Sequence, residues 1–247
     1  MTETLLIFIL VGFLAQLVDG ALGMAFGVIS STILLSLGVP PAAASASVHL
    51  VESFTTGASG LSHLYHRNID WSLFRRLALP GIAGGVIGAY LLSNIDGSIA
   101  KPFILAYLTI IGLVLIYRAF RAPPVPRNPR IVAPLGLAGG FLDAVGGGGW
   151  GPVVTSNLLI QGSSPRTTIG TVNATEFFLT VAVSATFLFS LGFSAFTQAA
   201  IGLLIGGVAA APFGAVVAKR IPAKPLLILV GAVLTATSIY GIVRALT

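Results

Sequence analysis

Leu17–Val28 reads LVDGALGMAFGV, and Phe141–Val153 reads FLDAVGGGGWGPV. Each is an apolar stretch interrupted by glycine at its middle. In each a carboxylate, Asp19 or Asp143, stands just before the interruption. Glycine tolerates left-handed backbone and close approach, so both stretches end a helix within a hydrophobic segment. The first break lies in an apolar run over about 5–37 and the second in one over 131–161. Hydrophobic segments broken at corresponding places in two halves of a chain are the best sequence-level pointer to a transporter binding site.

The flanking sequence agrees. Of 247 residues, 55% are hydrophobic and only 8% charged, with a mean hydropathy of +0.99. Further apolar segments cover 42–62, 77–93, 101–117, 168–190, 196–217 and 225–243. At about 20 residues each, they are long enough to cross a bilayer core or nearly so. The expected fold class is therefore an all-α integral membrane protein. The first segment is too long, and too close to the glycine motif, to read as a cleaved signal peptide. Cysteine is absent, which excludes disulfides, thiolate metal sites and cysteine nucleophiles. The net charge of +6 is assigned to loops that orient the chain in the membrane, not to nucleic-acid binding.

The two halves are an internal repeat. Adding 124 to a number between 12 and 56 pairs Gly12 with Gly136, Asp19 with Asp143, Gly23 with Gly147, Gly27 with Gly151, Pro41 with Pro165 and Glu52 with Glu176. Phe26 falls opposite Trp150. With slightly smaller shifts, Gly84-Gly85 meets Gly206-Gly207 and Lys101-Pro102 meets Lys224-Pro225. The expected organisation is a first half at 1–120, a Pro/Arg-rich linker at 121–130 and a second half at 131–247. Basic loops at 67–76 and 118–130 belong on the inside. If the broken segment 131–161 enters and returns as a hairpin, the basic loop 219–224 also lies inside and the halves are inverted. If it crosses once, the halves are parallel and one basic loop violates the rule. Each half then has a glycine-broken first element, re-entrant or discontinuous, followed by three transmembrane helices.

Four of the seven acidic residues lie inside apolar segments, as two repeat-related pairs: Asp19 with Asp143, and Glu52 with Glu176. A charge at mid-bilayer costs roughly 2.5–3.5 kcal/mol on insertion scales, so such residues are functional candidates. The plainer role is to cap the broken helices, whose first N–H groups need acceptors. That role is favoured for the aspartates and evenly weighted against a coupling role for the glutamates. A carboxyl that caps in one state and releases a proton in another would serve both. Ser45, Ser47 and His49 precede Glu52, and Thr171, Asn173 and Thr175 precede Glu176. Pro41 and Pro165 mark the helix starts. His49 is matched by Asn173, which argues against a repeated metal site. The run Gly146–Gly149 before Trp150 disrupts a helix, and helix N-termini exposed there bind anions through backbone N–H groups. Simple packing is the competing role for Trp150 and Phe26. There is no nucleophile–base pair, HExxH or phosphate-loop motif, so neither an enzyme nor a cofactor is expected.

These residues bring a family into view. GLAGGFLDAVGGGGWGP at 136–152 with PRTTIGTVNATE at 165–176, and the fainter copies DGALGMAFG at 19–27 and SASVHLVE at 45–52, resemble the sulfite exporter TauE/SafE family. The resemblance covers nearly the whole chain. It implies a small bacterial permease of the cytoplasmic membrane for sulfite or organosulfur anions. The first copy departs from the pattern, with Met24-Ala25 where Gly148-Gly149 stand. The expected substrate-binding residues are Gly23, Ser47, His49, Gly147, Gly148, Gly149, Trp150, Thr171 and Asn173. Asp19, Glu52, Asp143 and Glu176 are the coupling or structural carboxylates. Expected partners are a small anion and the bilayer, with protons and a second copy of the chain as further candidates. A passive anion channel built on the same site is the alternative to a transporter.

Overall fold

A computed structural model describes residues 2–22, 24–121, 128–193, 196, 198–220 and 223–246. Ten helices follow one another: α1 (Thr2–Leu22), α2 (Phe26–Ser36), α3 (Pro41–Tyr65), α4 (Trp71–Asn94), α5 (Gly97–Arg118), α6 (Ala133–Gly146), α7 (Gly151–Ile160), α8 (Pro165–Leu191), α9 (Gln198–Arg220) and α10 (Ala223–Leu246). No strand occurs among the described residues. Most of the expected linker, residues 122–127, lies outside them, as do Gly23 and the centre of the third basic loop at 221–222.

Local chemistry sets the helix ends. Pro41 and Pro165 open α3 and α8 at the first helical position, where a missing N–H costs nothing. Asp70 caps α4 by accepting from the backbone N–H of Ser72 and Leu73, at 2.9 and 3.0 Å. Asp96 caps α5 through the Ser98 N–H. These caps carry α4 and α5 several residues beyond the purely apolar runs that announce them. Both sequence breaks are real: α1 stops before α2, and α6 stops before α7. Gly147, at φ 67°, is the left-handed residue that ends α6. The first turn of α7, Gly151–Thr155, is π-helical. Pro152 brings no N–H to that turn.

Helices α4, α5, α8 and α10 each hold a stretch long and apolar enough to cross a membrane. The sequence reading expected α3 to qualify as well. It has the length, 25 residues, but Ser45, Ser47, His49, Glu52, Ser53, Thr55 and Thr56 lower its hydropathy, and it runs through the protein interior. Helix α6 has 14 residues, about 21 Å at 1.5 Å per residue, against the ~30 Å of a bilayer core. The outer surface is apolar: Phe189 is 89% exposed and Leu79 75%. With four spanning-length helices, that surface identifies a multi-pass membrane protein.

Four helix pairs build the bundle. Helix α4 packs parallel to α6, Gly81 meeting Gly136, Gly84 meeting Leu137 and Gly88 meeting Phe141. Helix α1 packs parallel to α9, with Gly202 against Phe8, Leu203 against Gly12 and Gly206 against Phe13. Helices α3 and α8 run antiparallel, with Gly57 at Phe177, Gly60 at Ala174 and His63 at Gly170. Helices α5 and α10 are also antiparallel, through Ile116 at Gly231, Gly112 at Thr235 and Leu105 at Gly241. A Cβ on Gly84, Gly140 or Gly206 would overlap the facing backbone. These contacts are therefore the close small-residue packing that holds membrane helices together.

Candidate functional site

The two glycine tips touch. A Cβ on Gly27 would sit 2.8 Å from the Gly148 Cα, and one on Gly148 would overlap the backbone of Gly27 and Val28. Gly148 and Gly149 hold φ values of 145° and 149°, which side-chain-bearing residues rarely adopt. The positive-φ run and the tight contact together explain why glycine stands at 148.

The aspartates cap the broken helices in matching fashion. Asp19 Oδ1 accepts from the N–H of Ala25 at 2.6 Å and of Phe26 at 3.1 Å. Asp143 Oδ1 accepts from the Trp150 N–H at 2.8 Å. Phe26 and Trp150 each lie seven residues after their aspartate. The orphan N–H groups that open α2 and α7 thus find a carboxyl acceptor at the helix start.

Beyond this shared cap the two sites differ. The second oxygen of Asp143 lies 3.0 Å from His49 Nε2, with both side chains buried. His49 Nδ1 lies 2.8 Å from the Ser45 carbonyl, which can only accept, so Nδ1 carries a proton. A hydrogen bond from Nε2 to Asp143 then needs one more proton, on the ring or on the carboxyl. Ser45 Oγ donates to the Ala144 carbonyl at 2.6 Å, and Ser31 Oγ donates to the Gly147 carbonyl. The second tip is thereby fastened to α2 and α3. Asn173, opposite number of His49, donates instead to Ile169 of its own helix at 2.9 Å.

Between the tips lies a cavity lined by Asp19, Glu52, Glu176, Gly27, Gly149 and Pro152, among others. Its free space is about 10 Å³, the scale of one water. Glu52 faces Gly27, where an added Cβ would sit 2.7 Å from its Oε1, and its Oε2 is buried without a partner. No cationic side chain lines the cavity among the described residues. The three carboxyls share it without converging as a metal-ligand cluster.

The structure brings Asp19, Glu52, Asp143, Glu176, Gly147, Gly148, Gly149 and His49 to the tips. Trp150 is fully buried and packs on Gly81 and Gly139, its Nε1–H reaching the Val172 carbonyl at 3.4 Å. Thr171 stands apart from the tips, accepting from the Asp70 N–H at 2.9 Å. Ser47 is buried, and Gly23 lies outside the described residues. Two residues at the tips escaped the sequence reading. Tyr107 packs on Gly146 and Gly149, and its hydroxyl is buried without a partner. Its only signal was a phenol within an apolar segment, with Val230 opposite it in the repeat. Arg118 reaches inward from the end of α5 to Ser156 Oγ and to the Met24 sulfur, the latter at 3.9 Å. In sequence it reads as one more loop charge.

The sulfite exporter TauE/SafE family model matches residues 8–241. A probable membrane transporter protein, YtnM of Bacillus subtilis (strain 168), is 44% identical over 238 residues, which cover 93% of this chain and 79% of that protein. No solved structure matches significantly.

Proposed function

The chain belongs to the sulfite exporter TauE/SafE family, and from that premise we propose that it is a secondary transporter of a small anion, sulfite or an organosulfonate. It works by alternating access, coupled to protons, in the cytoplasmic membrane of a bacterium. The observation that carries this reading is the direction of the paired helices. By the 124-residue shift, α3 corresponds to α8, and by the shift that pairs Lys101-Pro102 with Lys224-Pro225, α5 corresponds to α10. Each corresponding pair packs antiparallel. Corresponding helices that run in opposite directions are what inverted halves require.

The same directions support hairpins at both glycine breaks. Between α3 and α8 the chain turns at α3/α4, α4/α5, α5/α6 and α7/α8. Four reversals would leave α3 and α8 parallel, and a fifth at the α6/α7 break makes them antiparallel. The parallel packing of α1 on α9 requires a reversal at the α1/α2 break by the same count. The Gly81–Gly136 contact repeats as Leu203–Gly12, and Gly84–Leu137 as Gly206–Phe13, as exchange of two inverted halves predicts.

The tip cavity fits proton coupling. An anion can share a space with three carboxyls only when protons accompany it, because like charges at such separation repel strongly at low dielectric. Backbone N–H groups released from Asp19 and Asp143 as those carboxyls protonate then become the anion's donors. The cavity seen here is too small for sulfite, so this state is closed. Uptake or efflux of labelled sulfite and small sulfonates in proteoliposomes tests the assignment. The expected result is saturable flux that responds to an imposed pH gradient and is lost in Glu176→Ala combined with Asn173→Ala. Wild-type flux in that double variant would refute the site, and indifference to the gradient would remove the proton.

A further inference from the structure

A second cavity, of about 400 Å³, opens among the basic loops. It lies between the N-terminal ends of α4 and α8, and Arg76, Ser163, Thr167 and Thr168 line it together with Asp70 and Asn128. Nothing in the tip mechanism uses it. Helix α8 enters with Ser164 at its N-cap, yet that side chain makes no capping bond. The N–H groups of the first turn are open at Arg166 and Thr167, while Thr168 N–H bonds the Ser164 carbonyl. Thr168, fully buried, is one of the lining residues, and its hydroxyl has no partner. The Ser163 hydroxyl is likewise unpartnered. A buried hydroxyl without a partner is destabilising, and a bound acceptor would remove that penalty. The one carboxylate present, Asp70, already accepts two N–H groups from α4 through Oδ1.

We propose that this cavity is an anion-binding vestibule on the basic face of the protein, holding the sulfonate or sulfite group of the substrate before it moves to the tips. The Arg76 guanidinium supplies charge, the first turn of α8 supplies N–H donors and the helix dipole, and Thr168 and Ser163 supply hydroxyl donors. At this volume the cavity takes a small organic sulfonate as readily as sulfite. Between the two cavities α8 carries a hydroxyl-bearing face. Thr168, Thr171 and Thr175 are spaced three and four apart, so they share one helix face, and all three are fully buried. The next residue, Glu176, lines the tip cavity. The inference rests on the anion-transport reading but can be tested without transport.

The chain contains no cysteine, so Ser163→Cys places a single thiol in the cavity. The purified full-length variant in detergent is labelled with a negatively charged methanethiosulfonate reagent while methanesulfonate is titrated in. The expected result is saturable protection. Adding Arg76→Gln should raise the half-protecting concentration by roughly tenfold, the equivalent of one charge-assisted hydrogen bond. Adding Thr168→Val should raise it by a smaller factor. Labelling that ignores methanesulfonate, protection unchanged by Arg76→Gln, or a thiol that never reacts would each overturn the proposal. Protection in a protein that moves no anion in proteoliposomes would keep the site and refute the transport reading. Transport without protection would do the reverse.

Discussion

The two glycine tips share a framework and differ in how they are braced. Both are apolar helices stopped by glycine, each with an aspartate capping the helix seven residues on. The second is then fastened by His49, Ser45 and Ser31 and packed against Tyr107. Among the described residues, which leave out Gly23, the first shows no corresponding brace from α8. Asn173 bonds its own helix, and Ile169 stands where Ser45 does. Close packing and helix capping are thus duplicated, while among the described residues the polar fastening is seen at the second tip alone. On the proposed alternating-access reading, such asymmetry would bias the equilibrium between two states that differ in their contacts at the tips.

The largest expected effect comes from breaking the second tip itself. Gly148→Ala combines positive φ with overlap on Gly27 and Val28. It should destabilise the protein by at least ~2 kcal/mol and abolish flux. Met24→Leu, at the matching place in the first tip, should cost under ~1.5 kcal/mol. Thermal unfolding in detergent compares them.

Next comes the brace. Asp143→Asn should cost more stability than Asp19→Asn, because only Asp143 faces His49. Removing one partner of a buried pair costs about 3–5 kcal/mol. His49→Asn, which gives the first half the residue the second carries at Asn173, should add little on the Asp143→Asn background, with a coupling of roughly 1–3 kcal/mol in the double-mutant cycle. Additive effects would show that His49 and Asp143 do not act together.

The smallest effect belongs to a cap remote from both tips. Asp96 is fully exposed, and its bonds to Ser98 hold its pKa below the ordinary value of 3.8. A depressed native pKa adds stability above the unfolded value, and that stability fades as pH falls through the native one. Asp96→Asn should therefore lower the melting temperature slightly at neutral pH. The difference should vanish in strong acid, and flux should be unchanged. A transport defect there would mean that the comparison of tips misses a working part.

Much of this arrangement was legible in the sequence. The breaks, the helix starts at Pro41 and Pro165, and the aspartate caps follow from backbone chemistry that acts over a few residues. The pairs Gly84-Gly85 and Gly206-Gly207 stood out in the sequence as repeat partners, but the helices they pack against, α6 and α1, did not. What stayed hidden depends on contacts between distant segments. His49 meets Asp143 across 94 residues, and sequence spacing placed it only beside Glu52. Tyr107 and Arg118 looked like ordinary residues of α5 until folding set them against the second tip and beside Met24. Thr171, expected near the substrate, is held by the Asp70 backbone on the basic face.

Counterflow decides most directly between an alternating-access carrier and a channel. Proteoliposomes preloaded with unlabelled sulfite or a small sulfonate are diluted into labelled substrate. A carrier that turns over between two closed tips should accumulate label transiently above equilibrium. Flux that only follows the electrochemical gradient, with ohmic current and no overshoot, would contradict alternating access and identify a channel.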